Sequence, residues 1–228
     1  METKFHRSLS QRIMWTFIVR VLARIIIFLR TRRRVNGIEN VPKQGPLLIV
    51  SNHLTYVDQF FISTSLNRKV VFMAKEELFR SKIIRPLAWA FGAFPVRRGG
   101  IMDRKALELA NQILDSGQAL GMFPEGMRSR AAQLQPAYPG SALLALHNRV
   151  PILPIGITGL EHATNKSMVW GLLHRPKVTV NIGHPFYLPP VGDKLTKAEL
   201  AKLADYIMEH IAELLPPKYR GHYAKCTD

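Results

Sequence analysis

A chain of 228 residues, 47% hydrophobic and with a single cysteine, is long enough for one α/β domain with its own core, and it excludes a disulfide-stapled scaffold. Its formal charge of +16 points to an anionic partner. The basic residues are neither interleaved with aromatics nor set in a recognisable nucleic-acid module, which speaks against nucleic acid and leaves an anionic membrane surface or a phosphorylated substrate.

The first 34 residues carry nine basic residues against Glu2 alone, half of the net excess, with apolar side chains between them from Ile13 to Leu29. At about 100° per residue Arg12, Thr16, Arg20, Arg24 and Arg30 share roughly a third of the helix circumference, leaving the rest apolar. Segment 1–34 is therefore expected to hold an amphipathic helix that docks on a membrane through Trp15, Arg20, Arg24 and Phe28. A spanning helix competes with this reading, since Ile13–Leu29 would reach about 25 Å. Two central arginines would cost about 5–7 kcal/mol, which cancels the apolar gain. A helix lying in the interface instead keeps its arginines on anionic head groups. The arginines also interrupt what would be the apolar core of a secretory signal.

A strand is expected at Leu47–Val50, followed by Asn52-His53-Leu54-Thr55-Tyr56-Val57-Asp58 and a helix over Tyr56–Leu66. Positions five apart diverge by about 140° on a helix, so His53 and Asp58 cannot face one another within one. They can meet if His53 sits in the loop leaving the strand and Asp58 in the first helical turn, with Thr55 able to cap. Asp58 would then fix the imidazole tautomer and leave the other ring nitrogen free to accept a proton from an alcohol. Taken alone, this short pattern also fits a capping aspartate near a solvated histidine.

Next come a strand at Lys69–Met73 with Lys75 just beyond it, and a basic, aromatic stretch from Phe79 to Phe91 that fits either a second membrane contact or a packed helix. The loop-like segment Phe94–Gly100 offers Arg97 and Arg98 as a fork for phosphate oxygens, or as a solvated basic turn. A helix is expected over Met102–Leu114 and a strand over Ala119–Phe123, which delivers Glu125, Gly126, Arg128 and Ser129. Glycine there would let backbone amides approach an anion, and Arg128 would add fixed charge. Helices over Ser141–His147 and Lys197–Leu215 and strands over Ile152–Ile157, with Pro154 inside it, and Lys177–Ile182 complete an alternating α/β pattern. The only cysteine is Cys226, no Gly-x-Ser-x-Gly elbow occurs, and no metal-ligand spacing is present, so neither an acyl-enzyme nor a metal is expected.

In order, spacing and content these blocks resemble the glycerophospholipid acyltransferase family, specifically its 1-acylglycerol-3-phosphate (lysophosphatidate) acyltransferases. Asn52-His53 to Asp58 resembles the catalytic block, Phe94 to Gly99 the second block, Phe123 to Ser129 the third and Val150 to Ile155 the fourth. The likeness covers roughly residues 33 to 190 and departs at Met127, where the family usually has threonine, and at Ala137-Tyr138-Pro139, where lysine is frequent.

The resemblance implies a mixed central sheet flanked by helices, with an acyltransferase domain over residues 35–228. It implies His53 and Asp58 as the catalytic pair; Arg97, Arg98, Glu125, Gly126 and Arg128 as holders of the substrate phosphate; and Asn52, Lys75, Ser129 and Pro154 as substrate or support residues. The expected reaction moves an acyl group from acyl-CoA or an acyl carrier protein, as donor substrate and without a cofactor, to lysophosphatidate. Glycerol-3-phosphate, another lysophospholipid or a lyso-aminolipid are alternative acceptors, and a noncatalytic membrane-surface protein is the alternative of a different class. The thioester donor is made inside the cell, so the site is expected on the cytoplasmic face of a membrane.

Overall fold

The computed structural model describes residues 17, 21, 24–80, 93–96, 104–161, 175–192 and 195–226. After helix α1 (Arg24–Arg30), strand β1 (Arg32–Asn36) and a 3-10 turn at Ile38–Asn40, the fully buried β2 (Leu47–Ser51) leads to α2 (Asp58–Ser65). Then follow β3 (Val70–Lys75), β4 (Phe94–Val96), α3 (Arg104–Asp115), β5 (Ala119–Met122), α4 (Gly140–Asn148), β6 (Ile152–Thr158), β7 (Lys177–Ile182), α5 (Lys197–Glu213) and the single turn α6 (Pro217–Arg220).

The seven strands form one sheet in the order β1-β7-β6-β2-β5-β3-β4. Strands β6, β2, β5, β3 and β4 run parallel, whereas β7 meets β6 antiparallel and β1 follows β7 in parallel. The sheet is thus mixed, as the resemblance implied, and its βα alternation is the one that the sequence pattern showed. Its apolar interior strands read as continuous hydrophobic runs because helices cover both faces. Arg33 of β1 donates to Thr64 of α2, while Asn181, opposite Asn36, donates to the Leu214 carbonyl just past α5. Side chains alternate along a strand, so α2 and α5 lie on opposite faces.

Helix α5 begins where the sequence places it because Thr196 and Glu199 form a reciprocal capping box. It buries Leu203, Ala204, Ile207, Met208, Ile211 and Ala212. Expected elements recur within a few residues of their expected ends throughout. The loop-like reading of Phe94–Gly100 does not hold for its first part: Phe94–Val96 is a strand, paired with Met73–Lys75, with Phe94 buried against the core. Three residues are too few for a periodic signal. Strand β1 was also not anticipated, since three arginines in succession read as a polar flank. As the sheet's outer strand it needs to satisfy only one neighbour, and it straddles the expected division between residues 34 and 35.

Of the expected membrane-docking residues, Trp15 and Arg20 lie outside the described residues, as does the stretch 81–91; Arg24 opens α1 and Phe28 is 74% exposed on it. Among the described residues no helix is long and apolar enough to cross a membrane.

Candidate active site

Adjacent parallel strands β2 and β5 pair Val50 with Met122, and three positions beyond each lie His53 and Glu125. Both first and third blocks therefore leave the sheet at the carboxyl ends of neighbouring strands, where open α/β sheets form their ligand crevices. Strand β3 ends at Lys75 and β4 at Val96 on the same edge.

Asp58 is the first residue of α2 and is fully buried. One carboxylate oxygen accepts from His53 Nδ1 at 2.8 Å, from the Leu54 amide at 2.7 Å and from the Thr55 amide at 2.8 Å; the other accepts from the Thr55 hydroxyl at 2.7 Å. The loop thus folds over the carboxylate, as the five-residue spacing required. A carboxylate can only accept, so Nδ1 carries a proton, and in the neutral ring Nε2 is then the nitrogen with the lone pair. Thr55 does not cap α2. Its hydroxyl donates to Asp58 and accepts from the Val57 amide, while the N-cap position is Val57, with no side-chain bond. The imidazole stacks on Phe123, ring centroids 3.9 Å apart and 10° from parallel, and Phe123 in turn stacks on Phe72. Ring orientation is therefore fixed by an ion-pair-like bond on one side and an aromatic floor on the other.

The third block holds the backbone of His53. One Glu125 oxygen accepts from the His53 amide at 3.0 Å and the other from the Gln135 amide at 3.1 Å; the Ser129 amide donates to the His53 carbonyl at 2.8 Å. Burial pushes the Glu125 carboxyl up to about 7, with the Asp58 charge adding to the rise and the two amide bonds opposing it. The expected phosphate-binding role for Glu125 therefore needs correcting. Glu125 is 1% exposed and both its oxygens are taken by backbone amides, which leaves neither facing a ligand.

Gly126 has a different reason to be glycine than an amide aimed at an anion. Its N–H donates to the Phe123 carbonyl, its φ is +67°, and a Cβ would lie 2.8 Å from the Tyr138 ring. Ser129 supports the loop through its hydroxyl, which accepts from the Gln133 amide. Asn52 clamps β2 to β6, its amide donating to the Ile157 carbonyl and its oxygen accepting from the Ile157 amide. Pro154, level with Val50, is buried in β6 below the site and packs near Gly183.

Arg128 is the charged third-block residue that reaches the surface, beside the exposed Met127. Its guanidinium lies 3.5 Å from the centroid of the Tyr56 ring and donates to the Tyr56 hydroxyl at 2.8 Å. Tyr56, 58% exposed, thus joins the first block to the third. No local pattern signals this pairing, because the two are 72 positions apart. Phe123 was likewise legible only as strand. Arg97 and Arg98 lie outside the described residues, and of Lys75 only its place at the end of β3 is described. Among the described residues no group of three or more His, Cys, Asp and Glu side chains is disposed to hold a metal ion.

Residues 32–158 match the Acyltransferase family. The chain is 27% identical over 184 residues to a 1-acyl-sn-glycerol-3-phosphate acyltransferase of Borreliella burgdorferi, covering 79% of this chain and 70% of that protein. It is 26% identical over 192 residues to a Bacillus subtilis protein of the same name, covering 84% and 92%. Among solved structures, the crystal structure of the 1-acyl-sn-glycerophosphate (LPA) acyltransferase PlsC from Thermotoga maritima matches with a TM-score of 0.63 over 86% of this chain and 76% of that one. At 24% identity this last likeness speaks to the fold.

Proposed function

This chain belongs to the Acyltransferase family, and we propose that it transfers a fatty acyl group from an acyl thioester to the free glycerol hydroxyl of 1-acyl-sn-glycerol-3-phosphate, giving phosphatidate. The observation that carries the chemistry is the buried His53–Asp58 pair, in which Nδ1 is engaged by the carboxylate and Nε2 is left for the acceptor hydroxyl at the carboxyl edge of the sheet. The names of the relatives in Borreliella burgdorferi and Bacillus subtilis support the choice of acceptor.

In this mechanism Nε2 takes the proton of the acceptor hydroxyl as the oxygen attacks the thioester carbonyl. The C–O bond forms, the C–S bond breaks, and the imidazolium returns its proton to the departing thiolate. Asp58 stays ionised and steadies the transient imidazolium. Arg128, seated on Tyr56 at the rim, holds the phosphate of the acceptor, and Arg97 and Arg98 share that charge. The donor is acyl-CoA or an acyl carrier protein, and the work is done at a membrane whose lipids include the substrate, with the site facing the cytoplasm and the N-terminal segment in the interface.

The test is acyl transfer to lysophosphatidate by the purified, detergent-solubilised protein, from each donor in turn, with His53→Ala in parallel. Phosphatidate from the wild type and none from the variant is expected. Full turnover by His53→Ala would remove His53 as the base, and product only from another lyso-acceptor would move the reading to that substrate.

A further inference from the structure

The bonds that join the loop leaving β2 to the Phe123–Ser129 loop leaving β5 differ in kind. Two reach the His53 backbone, whose amide donates to Glu125 at 3.0 Å and whose carbonyl accepts from the Ser129 amide at 2.8 Å. Another joins side chains, where Arg128, next to Ser129, lies on the Tyr56 ring and donates to its hydroxyl. Glu125 and Ser129 are buried, whereas Tyr56 is 58% exposed, so its ring contributes little to the core. The loop beneath that ring is nevertheless fixed. The Leu54 and Thr55 amides on one side donate to Asp58, and the Val57 amide on the other donates to the Thr55 hydroxyl. Tyr56 thus stands three positions after His53 on a backbone with little freedom of its own.

A guanidinium laid on an aromatic ring keeps its N–H groups in one plane and directed outward. The Tyr56 hydroxyl takes one of them, and among the described residues no carboxylate pairs with Arg128. The remaining edge is a fork for phosphate oxygens. Unheld, so long a side chain would spread over several rotamers and carry that fork through several ångströms. Held on Tyr56, it is preorganised at a set distance from the imidazole.

We propose that Tyr56 is a positioning residue that fixes the spacing between the phosphate seat and His53 and thereby selects which glycerol hydroxyl is acylated, the one on the carbon next to the phosphate-bearing carbon. This rests on the acylation reading above and adds to it the regiochemistry. The hydroxyl on the far carbon of the glycerol lies one C–C bond, about 1.5 Å, further from the phosphate. A misplacement of about 1 Å at a reacting centre costs about a hundredfold in rate, so a seat built on the loop that carries the base discriminates between the two, and a seat that wanders does not.

The full chain in detergent is given two non-migrating ethers, 1-O-alkyl-glycerol-3-phosphate and 2-O-alkyl-glycerol-3-phosphate, with acyl-CoA and acyl carrier protein as donors in turn. The quantity read is the ratio of the two kcat/KM values, from which the amount of folded enzyme cancels, so a merely structural loss leaves it unchanged. The wild type should favour the first ether about a hundredfold. Tyr56→Leu should bring the preference below about tenfold, and Tyr56→Phe, which keeps the ring and loses the hydroxyl, should fall between the two. In an Arg128→Ala background Tyr56→Leu should lower the ratio no further, because the tyrosine acts through the arginine. A wild type without preference, an unchanged ratio in Tyr56→Leu, or a further fall in the Arg128→Ala background would overturn the role of Tyr56 and leave the acylation reading standing. A wild type that acylates neither ether would refute that reading and the positioning role with it.

Discussion

Asp58 bears more on the site than a tautomer-fixing partner needs to. Four donors converge on its two oxygens, so Asp58→Asn turns an –NH2 toward groups that are themselves donors and reverses the proton on Nδ1. The expected result is a fall in kcat on the order of a thousandfold, with the KM of either substrate little changed, read by steady-state kinetics. Arg128 should behave in the opposite way. Arg128→Ala raises the KM for the phosphate-bearing acceptor about tenfold or more and leaves that of the donor near the wild-type value; equal effects on both substrates would remove its phosphate role. Glu125 adds a pH dependence of stability. Its carboxyl titrates near 7 in the fold against an ordinary value of 4.5, so the fold favours the protonated form. That contribution is complete below about pH 4.5 and is lost as pH rises through 7, on the order of 3 kcal/mol in all. Denaturant unfolding between pH 5 and pH 8 should show a decline that Glu125→Gln flattens.

Between elements, the bond pair from Asn52 to the Ile157 backbone fixes where β2 ends against β6, and with it where the His53 loop starts. Asn52→Ala leaves a buried N–H and C=O of β6 without these partners. A loss of about 3 kcal/mol is expected, or about 6–12 °C in Tm for a domain of this size, by calorimetry. Helix α5 and strand β7 were readable from periodicity, and strands β2, β5 and β6 from continuous apolar runs buried on both faces. Strands β1 and β4 were not. One is built of arginines and the other is three residues long, and each exists because a neighbouring strand offers it backbone bonds.

Across the whole molecule, the C-terminal segment braces the loop behind the site. The Leu134 amide donates to the Tyr219 carbonyl and the His222 amide to the Leu134 carbonyl; the Tyr223 hydroxyl accepts from the Ala137 amide and donates to Asp205 of α5. Tyr223 is buried, and both burial and the bond to Asp205 raise its phenol well above the usual range. The loop 130–138 in turn carries the Gln135 amide that meets Glu125, and Glu125 holds His53. Tyr223→Phe should therefore loosen a loop nearly ninety positions away. Faster cleavage within 130–138 under limited proteolysis is expected, together with about 1–3 kcal/mol of lost stability.

The sequence by itself determined the α/β alternation and the place of the blocks, and it allowed His53 to meet Asp58 across a strand-to-helix loop where a regular helix would have kept them apart. Local periodicity and short-range spacing are enough for these. Only the tertiary structure decided that Glu125 grips the His53 backbone, that Arg128 rests on Tyr56, and that Phe123 floors the imidazole. Each of those contacts joins residues far apart in the chain, and which of them meet depends on strand order and direction, which no local pattern of side chains encodes.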